Sequence, residues 1–194
     1  MSTLDEEDRR EYYRIEDMIA LEITPLSGPE ALSKEVLLDD SPLFNLLSEL
    51  HLSEFESQHL LRQIGERDRT LAAFLKVQNK RMDLLSQIMA QSLLGEIGTP
   101  QPVVISEGGI EFLNPTAIQP DSHLAVKLVL MPQALGLLLR AKVTHCDAKT
   151  GGYEIGTEFE AMTDAQRQLL ARYILQKQAQ ERRLAREKSD ESDT

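Results

Sequence analysis

Apolar residues recur at every second position in two stretches of this chain and at every third or fourth position between them. In the first stretch Ile15, Ile19, Leu21 and Ile23 share one face, with Arg14, Glu16 and Glu22 on the other. This predicts a half-buried strand that Pro25 helps to stop. Residues 25–41, with Gly28 and Pro29, read as a linker holding at most one helical turn. From Pro42 to Leu94 the period becomes helical. Ser41-Pro42 predicts the start of a short helix through Leu43, Leu46, Leu47 and Leu50, with serine as cap and proline in the first helical position. Ser53 is then expected to cap a second, longer helix ended by Gly95, Gly98 and Pro100.

In that longer helix, steps of three and four connect Leu61, Ile64, Asp68, Leu71, Leu75, Gln78, Met82, Leu85, Met89 and Ser92, a heptad seam. Leu60, Phe74 and Ile88 widen the stripe, which suits a bundle of more than two helices better than a two-stranded zipper. Asp68 and Gln78 are seam positions where pairing across chains would fix register. About 40 helical residues reach about 60 Å, much further than a small β domain is wide, so the stripe is expected to meet other copies of the chain. The alternative is a helix folded back on its own domain.

Period two returns after Pro102. Val103 and Ile105 lead into a Ser106–Gly109 turn, and Ile110 and Phe112 leave it. Leu124, Val126, Leu128 and Leu130 alternate, as do Leu137, Leu139, Ala141 and Val143. Gly151-Gly152 turns into Tyr153, Ile155, Thr157 and Phe159. A last helix starts at Thr163-Asp164, buries Leu169, Leu170, Tyr173 and Ile174, and becomes wholly polar. The expected class is α+β: a small antiparallel barrel, a long coiled-coil helical insertion and a C-terminal helix.

Two short motifs bracket the insertion. Arg9-Arg10-Glu11-Tyr12-Tyr13-Arg14 precedes the first strand, and Val104-Ile105-Ser106-Glu107-Gly108-Gly109 forms the turn. Together they resemble the PilZ domain, the bacterial receptor for cyclic di-GMP, with its RxxxR followed by [D/N]xSxxG. Arg10 and Arg14 fill the first pattern and Arg9 adds an arginine beside it. Ser106 and Gly109 fit the second, while Val104 stands where Asp or Asn is expected. Gly156-Thr157-Glu158-Phe159 is similar to the family's G-x-x-F ending. The resemblance covers residues 9–24 and 101 to about 180. It divides the chain into an arginine arm and first strand (1–24), a helical heptad insertion for oligomerisation (25–100), the rest of a PilZ-like barrel with its closing helix (101–180), and a polar disordered tail (181–194).

The resemblance implies a signalling adaptor that binds cyclic di-GMP through Arg9, Arg10, Arg14, Ser106 and Gly109. The chemistry is apt. A guanidinium pairs bidentately with phosphate or with guanine O6 and N7 and stacks on a base, while a glycine lets backbone approach the ligand. A degenerate PilZ scaffold acting through protein contacts alone is the other reading, and Val104 and the neighbouring acidic residues favour it.

Charge narrows the partners. A net charge of -11 argues against a nucleic-acid polymer, leaving a small anion at a local arginine cluster. No apolar run approaches the roughly 20 residues of a membrane span, and no secretory leader is expected before the acidic N-terminus. Cys146 is the only cysteine, so neither an internal disulfide nor a thiolate metal cluster is expected, and the cytoplasm is the expected compartment. His51, His59, His123 and His145 show no ligand spacing, and His145 and Cys146 are adjacent strand residues that face opposite ways. With no phosphate-loop, dinucleotide or zinc-protease motif, and with carboxylates read as charge runs, the expectation is no enzymatic activity, no cofactor and no metal. Beyond the nucleotide, the expected partners are further copies of the chain, as a tetramer or else a dimer, and an unidentified protein.

Overall fold

Strand β1 (Ile15–Leu26) begins one residue after Arg14 and runs on through Pro25, which pairs with Leu124 and does not end the strand. The computed structural model describes residues 13–29, 33, 35 and 37–192. The later strands are β2 (Gln101–Ile105), β3 (Ile110–Asn114), β4 (His123–Leu130), β5 (Leu135–Lys149) and β6 (Gly152–Glu160). All pair antiparallel and close a barrel in the order β1-β2-β3-β6-β5-β4, so none of these strands is left with an open edge. Alternation works as expected. Ile15, Ile19, Val103, Ile105, Ile110, Phe112, Leu124, Val126, Leu128, Leu139 and Ile155 fill the interior.

The helical segment departs from the expected layout. Helix α1 (Pro42–Arg67) starts under the Ser41 cap, whose Oγ accepts from the Phe44 N–H, but it continues through Ser53 without a break. The chain turns at Asp68 instead, which leaves helical geometry at φ -139° and ψ 99°. Its carboxylate accepts from the Thr70 and Leu71 N–H groups at 2.9 Å and so caps α2 (Arg69–Ile97). Asp68 is therefore a corner residue and not a seam residue. What was read as one long heptad helix is an αα-hairpin in two legs of 26 and 29 residues. The first turns of α1 meet the last turns of α2, with Phe44 and Leu47 against Ala90, Leu93 and Ile97. This base packs on Ala20, Val129 and Ala134 of the barrel's outer surface.

The base is held by polar contacts as well. The Ser48 hydroxyl donates to the Gly136 carbonyl at 3.0 Å, and a Cβ at Gly136 would lie 3.3 Å from the Phe44 ring, so the missing side chain lets α1 sit close on β5. Both ring nitrogens of buried His51 face carbonyl oxygens, those of Leu47 and Gln133, at 2.9 and 3.0 Å. Lys127 reaches outward from β4 to Asp39 (2.9 Å) and Glu22 (3.4 Å), and its ammonium lies 5.0 Å from the centre of the Phe44 ring. Burial alone would pull this ammonium down. The hydrogen bond and charge of Asp39, with Glu22 behind them, outweigh burial and hold it above the ordinary 10.5. A raised lysine contributes stability that is whole below the unfolded value and is lost as pH climbs through the folded one. Lys127→Met should therefore lower unfolding stability by about 1–3 kcal/mol at neutral pH. In urea titrations this deficit should shrink once the pH passes 10.5.

Helix α3 (Asp164–Ser192) opens with a reciprocal cap. Thr163 Oγ1 accepts from Gln166 N–H at 3.2 Å, and Gln166 Oε1 accepts from Thr163 N–H at 3.0 Å. Leu169, Leu170, Tyr173 and Ile174 enter the barrel core as expected. The helix then continues to Ser192, past residue 181, where a disordered tail was expected.

Candidate functional site

The turn between β2 and β3 is fastened to β6. Ser106 N–H donates to the Gly109 carbonyl at 2.9 Å, and the Ser106 hydroxyl lies 3.4 Å from the same oxygen and 3.3 Å from the Gly108 nitrogen. Phe159 N–H donates to the Gly108 carbonyl at 2.8 Å, and Thr157 Oγ1 donates to the Ile110 carbonyl at 2.8 Å. Gly109 lies so near β6 that a Cβ there would fall 2.0 Å from the Thr157 carbonyl oxygen. Glycine at this position is a packing requirement.

Arg14 stands one residue before the strand that pairs with β2. Ile15 pairs with Ile105 and Glu16 with Val104, and the ladder ends at the Ile15–Ile105 pair, next to Arg14 on one strand and Ser106 on the other. With Ile15 and Ile105 inward, alternation turns Arg14 to the outer face, where it is exposed, while Ser106 in the turn is buried at 9% exposure. Arg9 and Arg10 lie outside the described residues. Of the five expected site residues, Ser106 and Gly109 share the turn, and Arg14 adjoins the strand pairing that leads into it.

Val104 is half-buried on the same outer face, paired with Glu16 on one side and Glu111 on the other. It lies in a groove of about 510 Å³ whose wall also carries Met18, Leu113 and Glu154. Lys177 and Glu181 of α3 close one end. The Lys177 ammonium is already engaged at 2.6 Å by Asp17, which also accepts a hydrogen bond from the Tyr173 hydroxyl. Burial, and then the Asp17 hydrogen bond, push the Tyr173 phenol well above its ordinary 10.0. Two of the lining carboxylates have basic neighbours: His145 Nε2 lies 3.7 Å from Glu111, and Lys149 lies 3.1 Å from Glu154. The Glu154 hydrogen bond and charge, followed by Asp147 and Glu111, raise the Lys149 ammonium.

Carboxylates read as separate charge runs are therefore collected on one surface. Glu16, Glu111 and Glu154 come from three different strands, so their grouping is visible only once the register is known. His145, Asp147 and Glu154 bring possible metal-ligand atoms within 4.8 Å of one another, but the Lys149 ammonium already serves Glu154 as a cation. A second concavity of about 210 Å³ lies where the hairpin base meets α3, between His51, Asp83, Pro132 and Arg172.

The sequence profile of the PilZ domain matches residues 76–176, just over half of the chain. The chain belongs to the PilZ domain family. No functionally curated protein matches it by sequence. Its fold is similar to that of a pathogenic protein from Xanthomonas campestris, a tetrameric PilZ domain self-assembled through a helical bundle. That similarity has a TM-score of 0.52 at 16% identity and covers 89% of each chain. It is also similar to the Bacillus subtilis inhibitor of motility MotI/DgrA (TM-score 0.38, 20% identity, 43% of each chain). Escherichia coli YcgR in complex with cyclic di-GMP gives a TM-score of 0.37 at 18% identity, over 49% of this chain and 41% of that one. The PilZ barrel in this chain carries the hairpin between β1 and β2, and no described helix is long and apolar enough to cross a membrane.

Proposed function

We propose that this PilZ protein is an oligomeric, non-enzymatic signalling adaptor of the cytoplasm whose regulatory ligand is cyclic di-GMP. Arg10 and Arg14 grip phosphate and guanine with Arg9 assisting, while Ser106 and Gly109 form the opposite wall. The observation that supports this reading most is that exposed Arg14 adjoins the Ile15–Ile105 pair from which the fastened Ser106–Gly109 turn departs. The hairpin joins copies of the chain, with a tetramer favoured over a dimer. Its exposed apolar stripe supports this, as does the likeness to a PilZ protein that assembles through helices.

A scaffold that binds no nucleotide is the second reading, favoured by one feature. Val104 replaces the expected polar residue and sits between Glu16 and Glu111, where a dianion meets like charge. Calorimetry with cyclic di-GMP separates the two. Binding by the parent, weakened about 10- to 100-fold by Arg14→Ala, is the expected result, since a charge-assisted hydrogen bond contributes about 1.5–3 kcal/mol. A folded parent that gives no heat, together with binding gained by Val104→Asp, would establish the scaffold.

A further inference from the structure

The groove beside Val104 has the wrong charge for an anion along most of its length and the right charge for a cation. Glu16, Glu111, Glu154 and Glu181 contribute carboxylates. Asp17 and Lys177 offset one another and Lys149 offsets Glu154, which leaves Glu16, Glu111 and Glu181 as the excess of negative charge. Between the carboxylates lies apolar surface that the fold leaves uncovered. Met18 is 58% exposed and Leu113 40% exposed, and both are large side chains on strands whose other faces are buried. Apolar surface rimmed by one sign of charge is the character of a protein-binding surface. The groove's volume suits a few side chains and not a whole domain.

We propose that this groove is the adaptor's output surface, and that it takes an extended basic segment of a partner protein, arginines or lysines flanking an apolar residue. Guanidiniums would meet Glu16 and Glu111, and the apolar residue would cover Met18 and Leu113. The chain's overall acidity steers such a segment inward and repels nucleic acid. This inference rests on the adaptor reading but not on nucleotide binding, so it is tested in the absence of cyclic di-GMP.

The probe is a fluorescein-labelled peptide with a Leu-Leu core flanked on each side by arginine pairs, titrated with the full chain and read by anisotropy. Glu16→Gln with Glu111→Gln should weaken binding about tenfold, the sum of two modest ion pairs. Leu113→Ser, which leaves every charge in place, should also weaken it. Glu56→Gln with Glu66→Gln, on exposed positions of α1, removes the same charge elsewhere and should leave affinity unchanged. Equal losses in the two double variants would reduce the attraction to net charge and overturn the proposal. Binding that appears only after removal of residues 1–12 would assign the groove to the chain's own arginine arm. Binding that disappears as copies of the chain associate would assign it to a second copy. Either result would also overturn the proposal.

Discussion

Replacing Phe74 and Ile88 together with aspartate is expected to break the proposed assembly into separate protomers without unfolding them. Leu71, Phe74, Val77, Leu84 and Ile88 run along α2 at spacings of three, four and seven residues and stay exposed, Phe74 at 58% and Ile88 at 65%. In one protomer these side chains touch little, so aspartate there leaves the barrel and hairpin base intact. In a helical bundle each would be buried against a neighbouring copy, at about 1.5–3 kcal/mol for a large apolar side chain. A charge left uncompensated in such an interface costs several kcal/mol more. Sedimentation should show the parent as a tetramer or dimer and the variant as a monomer, with unchanged circular dichroism. A monomeric parent would remove the assembly role of the hairpin.

Gly109→Ala carries the largest expected cost to the fold itself. The new Cβ would lie 2.0 Å from the Thr157 carbonyl oxygen, 3.0 Å from its carbon and 3.3 Å from the Glu158 Cα, all of them backbone atoms that cannot swing aside. The turn must lift from β6, losing the 2.8 Å bond from Phe159 N–H to Gly108. A loss of about 3 kcal/mol is expected, a large part of the roughly 5–15 kcal/mol that holds a domain of this kind together. Gly95→Ala is the contrast. That residue lies inside α2 with nothing within 4 Å of its Cβ position, so alanine should stabilise by about 0.5–1 kcal/mol. Urea unfolding measures both. Similar effects at the two sites would show that the close approach to β6 does not matter.

The barrel was legible because one face of most strands is apolar and the other wet, as in Ile15 to Ile23 and Val103 to Ile105. Where the hairpin covers the outside, that signal fails. Val129 and Ala134 are buried outward, and Lys127 is nearly so, which alternation alone cannot anticipate. The break at Asp68 was hidden for a different reason. Ser53 and Asp68 are both good caps, and the heptad pattern runs straight through the corner, so only the packing of Phe44 and Leu47 against Leu93 and Ile97 decides where the chain reverses. Motif residues close in sequence, Ser106 and Gly109, were found directly. The groove needed Glu16, Glu111 and Glu154 to be aligned across strands far apart in the chain, which is information held by register and not by local spacing.

A corner made from a single residue makes the arm's reach adjustable. Because Asp68 reverses the chain at the end of the hairpin away from the base that packs on the barrel, matched helical turns inserted before and after it would lengthen the spoke while β1 and β2 kept their places. The tip of the hairpin would then stand further from the barrel with no change in strand register.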